Sequence, residues 1–237
     1  METLIQTGLA QLGQAERVPA DAPVLLARYG ALLVEKNKVM NLTAITQPHD
    51  VATLHMLDCA ALLNCAEFGG KTLIDVGTGA GFPGLPLKIL VPSLEVTLLD
   101  SLNKRVDWLN ETIGALGLEG IRAVHGRAEE AGRDLEFRER FDFAAARAVA
   151  DLRLLCELCL PFVKAGGFFL AMKGTDCGDE LNAALPAIRT LGGRLSDCFD
   201  YAIPHTGVTH RAVLIEKISA VPEKYPRRWA KIQKSPL

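Results

Sequence analysis

An apolar run that ends in an acid and then breaks into glycines constrains this chain more than any other stretch. It is Leu73-Ile74-Asp75-Val76-Gly77-Thr78-Gly79-Ala80-Gly81-Phe82-Pro83-Gly84. Such a run reads as a β-strand entering a tight turn and then a helix, the unit from which parallel sheets are built. Glycines in the turn permit positive φ and let the backbone approach a ligand closely. A second apolar run, Leu94 to Leu99, ends in Asp100, 21 residues past Gly79. An acid at the tip of the next parallel strand accepts the hydroxyl hydrogens of a ribose. Together the two features predict an adenosine-bearing cofactor lying across the strand tips.

Three glycine-loop patterns compete for that turn. A phosphate-cradling P-loop needs Lys and Ser/Thr after Gly-x4-Gly, but Leu85-Pro86 follows Gly84. A dinucleotide fingerprint starting at Gly77 would place its third glycine on Phe82, where a phenyl ring hinders helix–strand packing and approach to a pyrophosphate. Asp-x-Gly-x-Gly-x-Gly fits Asp75, Gly77, Gly79 and Gly81 without exception. That is the S-adenosylmethionine (SAM) loop of class I methyltransferases, which handles no phosphate and needs no lysine.

The 237 residues are 49% hydrophobic and 23% charged, enough for one substantial α/β domain with a smaller addition. No apolar stretch reaches the roughly 18 residues of a membrane span, and the start lacks a basic, apolar leader pattern. The six cysteines, at 59, 65, 156, 159, 177 and 198, form no paired metal pattern. Cys156 and Cys159 lie within an apolar helical run, Leu152 to Val163, and read as small core residues. No metal is expected, and the location expected is the cytoplasm. The formal charge is −2, but His205–Leu237 carries seven Lys/Arg against two acids. A segment of +5 on a body of −7 suggests a localised anionic contact, a solvated tail being the alternative.

Residues 1–68 hold helical signals and no clear strand, and form an expected helical cap. Asp21-Ala22-Pro23 predicts a capped helix with Leu26, Tyr29, Leu32 and Leu33 along one stripe. Pro48 starts another to about Asn64, with Leu54, Leu57 and Ala61 inward and His55 and Asp58 on a different face. Residues 69–237 form the expected cofactor-binding domain. Strands fall at about 72–77, 95–100, 121–126, 141–148 and 166–173. Ser101 is the expected cap of a helix carrying Val106, Leu109, Ile113 and Leu116 and ending at Gly117. This alternation means a mostly parallel sheet with helices on both faces. Two last strands, about 194–203 and 210–218, are joined too tightly for a parallel crossover and form an antiparallel hairpin. The fold class expected is therefore α/β, of the class I SAM-dependent methyltransferase (Rossmann-like) type.

Gly126-Arg127-Ala128-Glu129 follows the third strand, where backbone amides and carbonyls suit an adenine edge; an exposed helix N-terminus is the alternative. Arg147 ends the fourth strand after Ala144-Ala145-Ala146, so its charge must enter a cleft or be paired, with Asp142 and Asp151 the near partners. In a cleft it holds the cofactor's carboxylate or orients the substrate. Lys173-Gly174 ends the fifth strand in the same row. No Pro-Cys pair for pyrimidine C5 methylation occurs, and no Asn/Asp-Pro-Pro-aromatic motif for an exocyclic amine. A ring nitrogen with a free lone pair, such as guanine N7, needs neither device; alignment with the methyl group suffices.

The ordered set of motifs resembles the bacterial 16S rRNA (guanine-N7) methyltransferase family, also called the glucose-inhibited division protein B family. It comprises Asn41-Leu42-Thr43, His55-x-x-Asp58, Asp75 to Gly84, Leu99 to Arg105, Gly126 to Glu129, Arg147-Ala148-Val149-Ala150, Lys173-Gly174 and Tyr225 to Leu237. Cys59 and Thr78 stand where serine is common. The resemblance implies SAM contacts at Gly77, Phe82, Ala128, Glu129 and Arg147, with Asp100 at the ribose, and transfer to one guanine of the 530 loop. The implied partner is 16S rRNA or the small ribosomal subunit, with the protein a monomer. Asn41, His55, Asp58, Lys173 and Arg211 are candidates on the RNA side. Arg227, Arg228, Lys231 and Lys234 surround Trp229 at helical spacing, cations for phosphates and a ring for a base. This basic end is expected to stand clear of the cofactor. Two other classes remain: a non-catalytic SAM-binding factor of the ribosome, and a nicotinamide-dependent oxidoreductase, which Phe82 disfavours.

Overall fold

The computed structural model describes residues 1–147 and 150–237. Two helices open it, α1 (Glu2–Gln11) and α2 (Ala22–Asn37). A continuous helical run follows: α3 (Pro48–Val51), a π-helical turn (Ala52–Leu57), α4 (Asp58–Ala60) and a 3-10 turn (Ala61–Asn64). Leu26, Tyr29 and Leu33 of α2 are buried and Leu32 is half-buried, as the stripe predicts. Asp21 makes no side-chain cap; Pro23 in the first turn, with φ preset for a helix, starts α2 instead.

The sheet holds seven strands: β1 (Thr72–Val76), β2 (Glu95–Asp100), β3 (Ile121–His125), β4 (Phe141–Arg147), β5 (Val163–Gly174), β6 (Gly193–Ala202) and β7 (Thr209–Lys217). Their order is β3-β2-β1-β4-β5-β7-β6. The pairs from β3 across to β5 are parallel, whereas β7 runs antiparallel to both β5 and β6. Helices α5 (Gly84–Leu90), α6 (Asn103–Leu116), α7 (Ala128–Ala131), α8 (Leu152–Cys159) and α9 (Gly178–Thr190) connect the strands, and α10 (Trp229–Lys234) follows β7. This is the class I methyltransferase fold. Central β1 and β4 are apolar almost throughout because helices cover both their faces.

One core face joins the N-terminal helices to the sheet: Ile5, Leu26, Tyr29 and Met56 pack in the same cluster as Leu73, Leu98 and Leu170. The opposite face packs α8, α9 and α10 through Cys156, Cys159, Ile188 and Ile232. Both cysteines of the C-x-x-C are buried free thiols. The helix expected over Leu152–Val163 stops at Cys159, and Leu160–Phe162 forms a 3-10 turn around Pro161. Ser101 is not a cap; Leu102 holds that position, and the Asp100 carboxylate takes the Leu102 N–H at 2.9 Å. The first four strands end at one edge of the sheet, where parallel α/β folds bind ligands. Of the motif after β4, Ala148 and Val149 lie outside the described residues.

Candidate active site

The turn after β1 is held from four sides. Asp75 Oδ2 accepts the Thr78 hydroxyl at 2.7 Å and the Gly84 N–H at 2.8 Å. The Leu99 carbonyl accepts the N–H groups of Gly77 and Thr78 at 2.9 and 3.1 Å. Asp100 Oδ2 accepts the Gly79 N–H at 2.9 Å. The Tyr29 hydroxyl donates to the Ala80 carbonyl. Gly79 has φ +60° and Gly81 φ +99°, a region L side chains rarely adopt. A Cβ on Gly81 would meet Tyr29 Oη at 2.8 Å, whereas on Gly79 it would meet only the Gly77 carbonyl at 3.9 Å. Gly81 therefore admits the N-terminal helix, and Gly79 opens toward a ligand.

Gly77, Gly79, Phe82, Asp100 and Arg147 line one cavity of about 560 Å³. Asp75 and Gly81 lie behind it and shape the loop. Burial pushes the Asp75 carboxyl up to about 6, against the bonds from Thr78 and Gly84. A second cavity, about 150 Å³ and mostly apolar, is lined by Val76, Leu99, Gly126, Arg127, Ala128, Glu129, Leu158 and Trp229. Gly77, Asp100 and Ser101 belong to both. A ribose on Asp100 thus has a charged chamber on one side and an apolar slot on the other. The residues fit SAM: Gly79 leaves the space a Cβ would fill, and the Asp100 carboxylate, only 3% exposed, keeps acceptor capacity beyond its two amides. Arg105 stands 3.5 Å from that carboxylate.

Arg147 is not paired with Asp142 or Asp151, as its neighbours in sequence suggested. Asp142 binds Thr72 and Lys164, and Asp151 binds Arg153. Arg147 Nη1 instead donates to Asp58 Oδ2 at 3.2 Å and to the Leu54 carbonyl at 3.1 Å. Nη2 donates to His55 Nδ1 at 3.0 Å, and the guanidinium lies 4.5 Å from the Phe82 ring centroid. Three of its five N–H donors are used among the described residues, leaving two for a cleft ligand. Asp58, 1% exposed, also accepts Tyr201 Oη at 3.0 Å and His210 Nδ1 at 2.9 Å, so one carboxylate ties the helical run, β4 and the terminal hairpin together.

The two histidines here are shifted in opposite directions. Burial, then the Arg147 charge, lower His55 to about 3. Arg147 can only donate, so its contact at His55 Nδ1 calls for the Nε2–H tautomer, which donates to Thr43 Oγ1 at 2.9 Å; the Leu54 carbonyl, 3.2 Å from Nδ1, is the competing partner. The hydrogen bond to Asp58 raises His210 above the ordinary 6.5. The ion pair at His210 therefore stabilises the fold below about pH 6.5 and is lost as pH rises through the raised value. The neutral His55 ring stabilises it above about pH 6.5, and that contribution is lost as pH falls toward 3. In an NMR titration, His55 ring signals should stay flat from about pH 8 to 5. Those of His210 should move with a midpoint above 6.5. A His55 midpoint near 6.5 would refute the arrangement.

Of the other expected site residues, Lys173 borders a cavity that His55 and Arg147 also line, and the rest lie apart from it. Lys173 Nζ is bound to Glu180 at 2.5 Å and to the Ala150 carbonyl at 2.8 Å. Asn41 is exposed. Arg211 is bidentate on Asp200, at 2.6 and 2.8 Å. Arg227 grips Glu157, which is 0% exposed, with its closest contact at 2.6 Å. Lys217 is buried on Glu139 at 2.6 Å. The +5 of the basic end is thus partly consumed by acids elsewhere, and Arg228, Lys231 and Lys234 remain exposed. Nor does this end stand clear of the cofactor groove, since Trp229 lines the smaller cavity. Asn37, Tyr201 and His210 are site-building residues that the sequence reading missed, and it named Tyr29 and Thr43 without these contacts. Asn37 Oδ1 accepts the N–H groups of Leu42 and Thr43, fixing the segment that supplies Thr43.

The sheet order, the held glycine turn and the ribose-type acid define a class I SAM-dependent methyltransferase. The family model described as rRNA small subunit methyltransferase G matches residues 24–202, and relatives of that name agree along most of the chain. The protein from Clostridium perfringens (strain 13 / Type A) is 46% identical over 210 residues, 88% of each chain. That from Alkaliphilus metalliredigens (strain QYMF) is 47% identical over 213 residues, 90% of this chain and 89% of the other. The chain belongs to the rRNA small subunit methyltransferase G family. Among solved structures, TrmN from Thermus thermophilus has a TM-score of 0.50 at 24% identity, covering 68% of this chain and 48% of that one. Precorrin-6y C5,15-methyltransferase from Geobacter metallireducens has 0.50 at 14%, covering 67% and 87%. Both likenesses concern the fold.

Proposed function

We propose that this chain methylates N7 of one guanine in the 530 loop of 16S rRNA, on the RNA or the small ribosomal subunit. One observation carries the reading. A third cavity, about 530 Å³, shares His55 and Arg147 with the cofactor chamber and is lined further by Ile45, Leu54, Met172 and His210. A base drawn out of an RNA strand has a pocket there, adjoining the cofactor chamber at His55 and Arg147. SAM, when bound, supplies an electrophilic methyl group on a sulfonium.

The protein's contribution is placement. Asp100 accepts ribose hydroxyls, and Arg147, which lines both chambers, keeps two unused donors. Guanine N7 presents its lone pair directly, so no proton need be removed before attack. The residues agree with that economy. His55 Nδ1 is occupied by Arg147 and is no free base. Cys59 is buried, and burial raises its thiol far above the reactive range, so it is no nucleophile for pyrimidine C5. Among the described residues no cluster of His, Cys, Asp and Glu is set to hold a metal.

The free cysteines support a reducing cytoplasm. No helix among the described residues is long and apolar enough to cross a membrane. N7-methylguanine is cut selectively by borohydride and aniline. Small subunits treated with protein and SAM should give one new cut, in the 530 loop. No cut, or a cut elsewhere, would overturn the assignment.

The RNA grip falls to Arg228, Lys231 and Lys234. Replacing these three together should weaken RNA binding and flatten its salt dependence. Each lost phosphate contact lowers the log–log slope by roughly 0.7–0.9. Arg227 is left in place because its removal would strand the Glu157 carboxylate. A slope equal to wild type would show a merely solvated surface.

A further inference from the structure

We infer that Trp229 forms the adenine-binding wall of the cofactor site, delivered to the groove by the segment after β7. The inference rests on reading Asp100 as the ribose acceptor. Asp100 divides the groove into the chamber with Arg147 and the apolar slot with Trp229. A nucleoside held by its ribose places its base on one side of that acid and its 5′ substituent on the other. The charged chamber suits an amino-acid carboxylate. The slot, walled by Val76, Leu99, Leu158 and the indole of Trp229, suits a flat heteroaromatic base. Backbone at Gly126–Glu129 supplies polar groups at its edge.

The indole is held at the slot by a chain of unusual anchors. Arg133 donates to the carbonyls of Pro226 and Lys224 at 2.8 and 2.9 Å. Arg138 donates to those of Tyr225 and Val221, each at 2.9 Å. Arg227 forms its fork on the fully buried Glu157 of α8, one residue before Leu158 of the slot. One turn beyond, Ile232 is completely buried. Three arginines, a buried carboxylate and an isoleucine thus locate a short helix whose first residue is Trp229. A solvated basic tail would need none of them.

The test uses the whole chain and no RNA, so it stands apart from the question of which nucleotide is methylated. Trp229→Ala should weaken binding of S-adenosylhomocysteine about tenfold or more by calorimetry, with Trp229→Phe recovering most of the loss. Only two tryptophans occur, Trp108 and Trp229. In a Trp108→Phe chain, adenosine and S-adenosylhomocysteine should both change the emission of Trp229, and methionine alone should not. Unchanged affinity in Trp229→Ala would overturn the inference. So would emission that ignores adenosine, a readout that does not depend on the alanine variant folding.

Discussion

Asp100→Ala should weaken SAM binding by roughly tenfold or more, since a lost hydrogen bond to a charged acceptor costs about 1.5–3 kcal/mol. The ribose loses its acceptor, and the loop loses a bond as well, because the same carboxylate holds the N–H groups of Gly79 and Leu102. Asp100→Asn is the sharper variant. Its oxygen can satisfy one of those amides, but its nitrogen would face the other donor to donor. Calorimetry with SAM on both variants checks the point. Equal affinity in the alanine variant would remove Asp100 from the site.

Arg147→Ala should abolish or greatly slow methyl transfer, on the order of a hundredfold or more, because the charged group of the two that line both chambers is gone. The fold should survive. Asp58 keeps two partners, the Tyr201 hydroxyl and His210 Nδ1. Asp58→Ala is the harsher change for stability. It leaves the Arg147 guanidinium buried with no carboxylate, a loss of about 3–5 kcal/mol for a broken buried pair. Single-turnover rates on small subunits, with urea unfolding of each variant, separate the effects. Normal methylation by Arg147→Ala would make the Arg147–Asp58 pair purely architectural.

The strands were legible because each is a short apolar run closed by turn residues, a signal contained within one stretch of chain. The glycine turn after β1 and the acid that ends β2 were legible for the same reason, their spacing being fixed by the βα unit. What binds Arg147 was not. Asp58 precedes it by 89 positions, and only the folding of the helical run over β4 brings them together. The π turn over Ala52–Leu57 left no mark in composition. The reading of the basic end counted charges without asking which were already spent. One clue was present: Glu157 is the only acid in the run Leu152–Val163, and a carboxylate buried there must find a cation. Arg227 is that cation. Tyr29 read as one more residue of an apolar stripe, and its hydroxyl contact to Ala80 follows only from α2 lying over the glycine turn.

That contact bears on how the cofactor arrives. The glycine turn is a flexible sequence, yet Asp75, Leu99, Asp100 and Tyr29 fix it with bonds made entirely within the protein. Folding, not the ligand, supplies the ordering entropy of those residues. Association is therefore docking into a finished mould, with the selectivity of a rigid receptor. The helices before β1 act as the template against which that mould is cast.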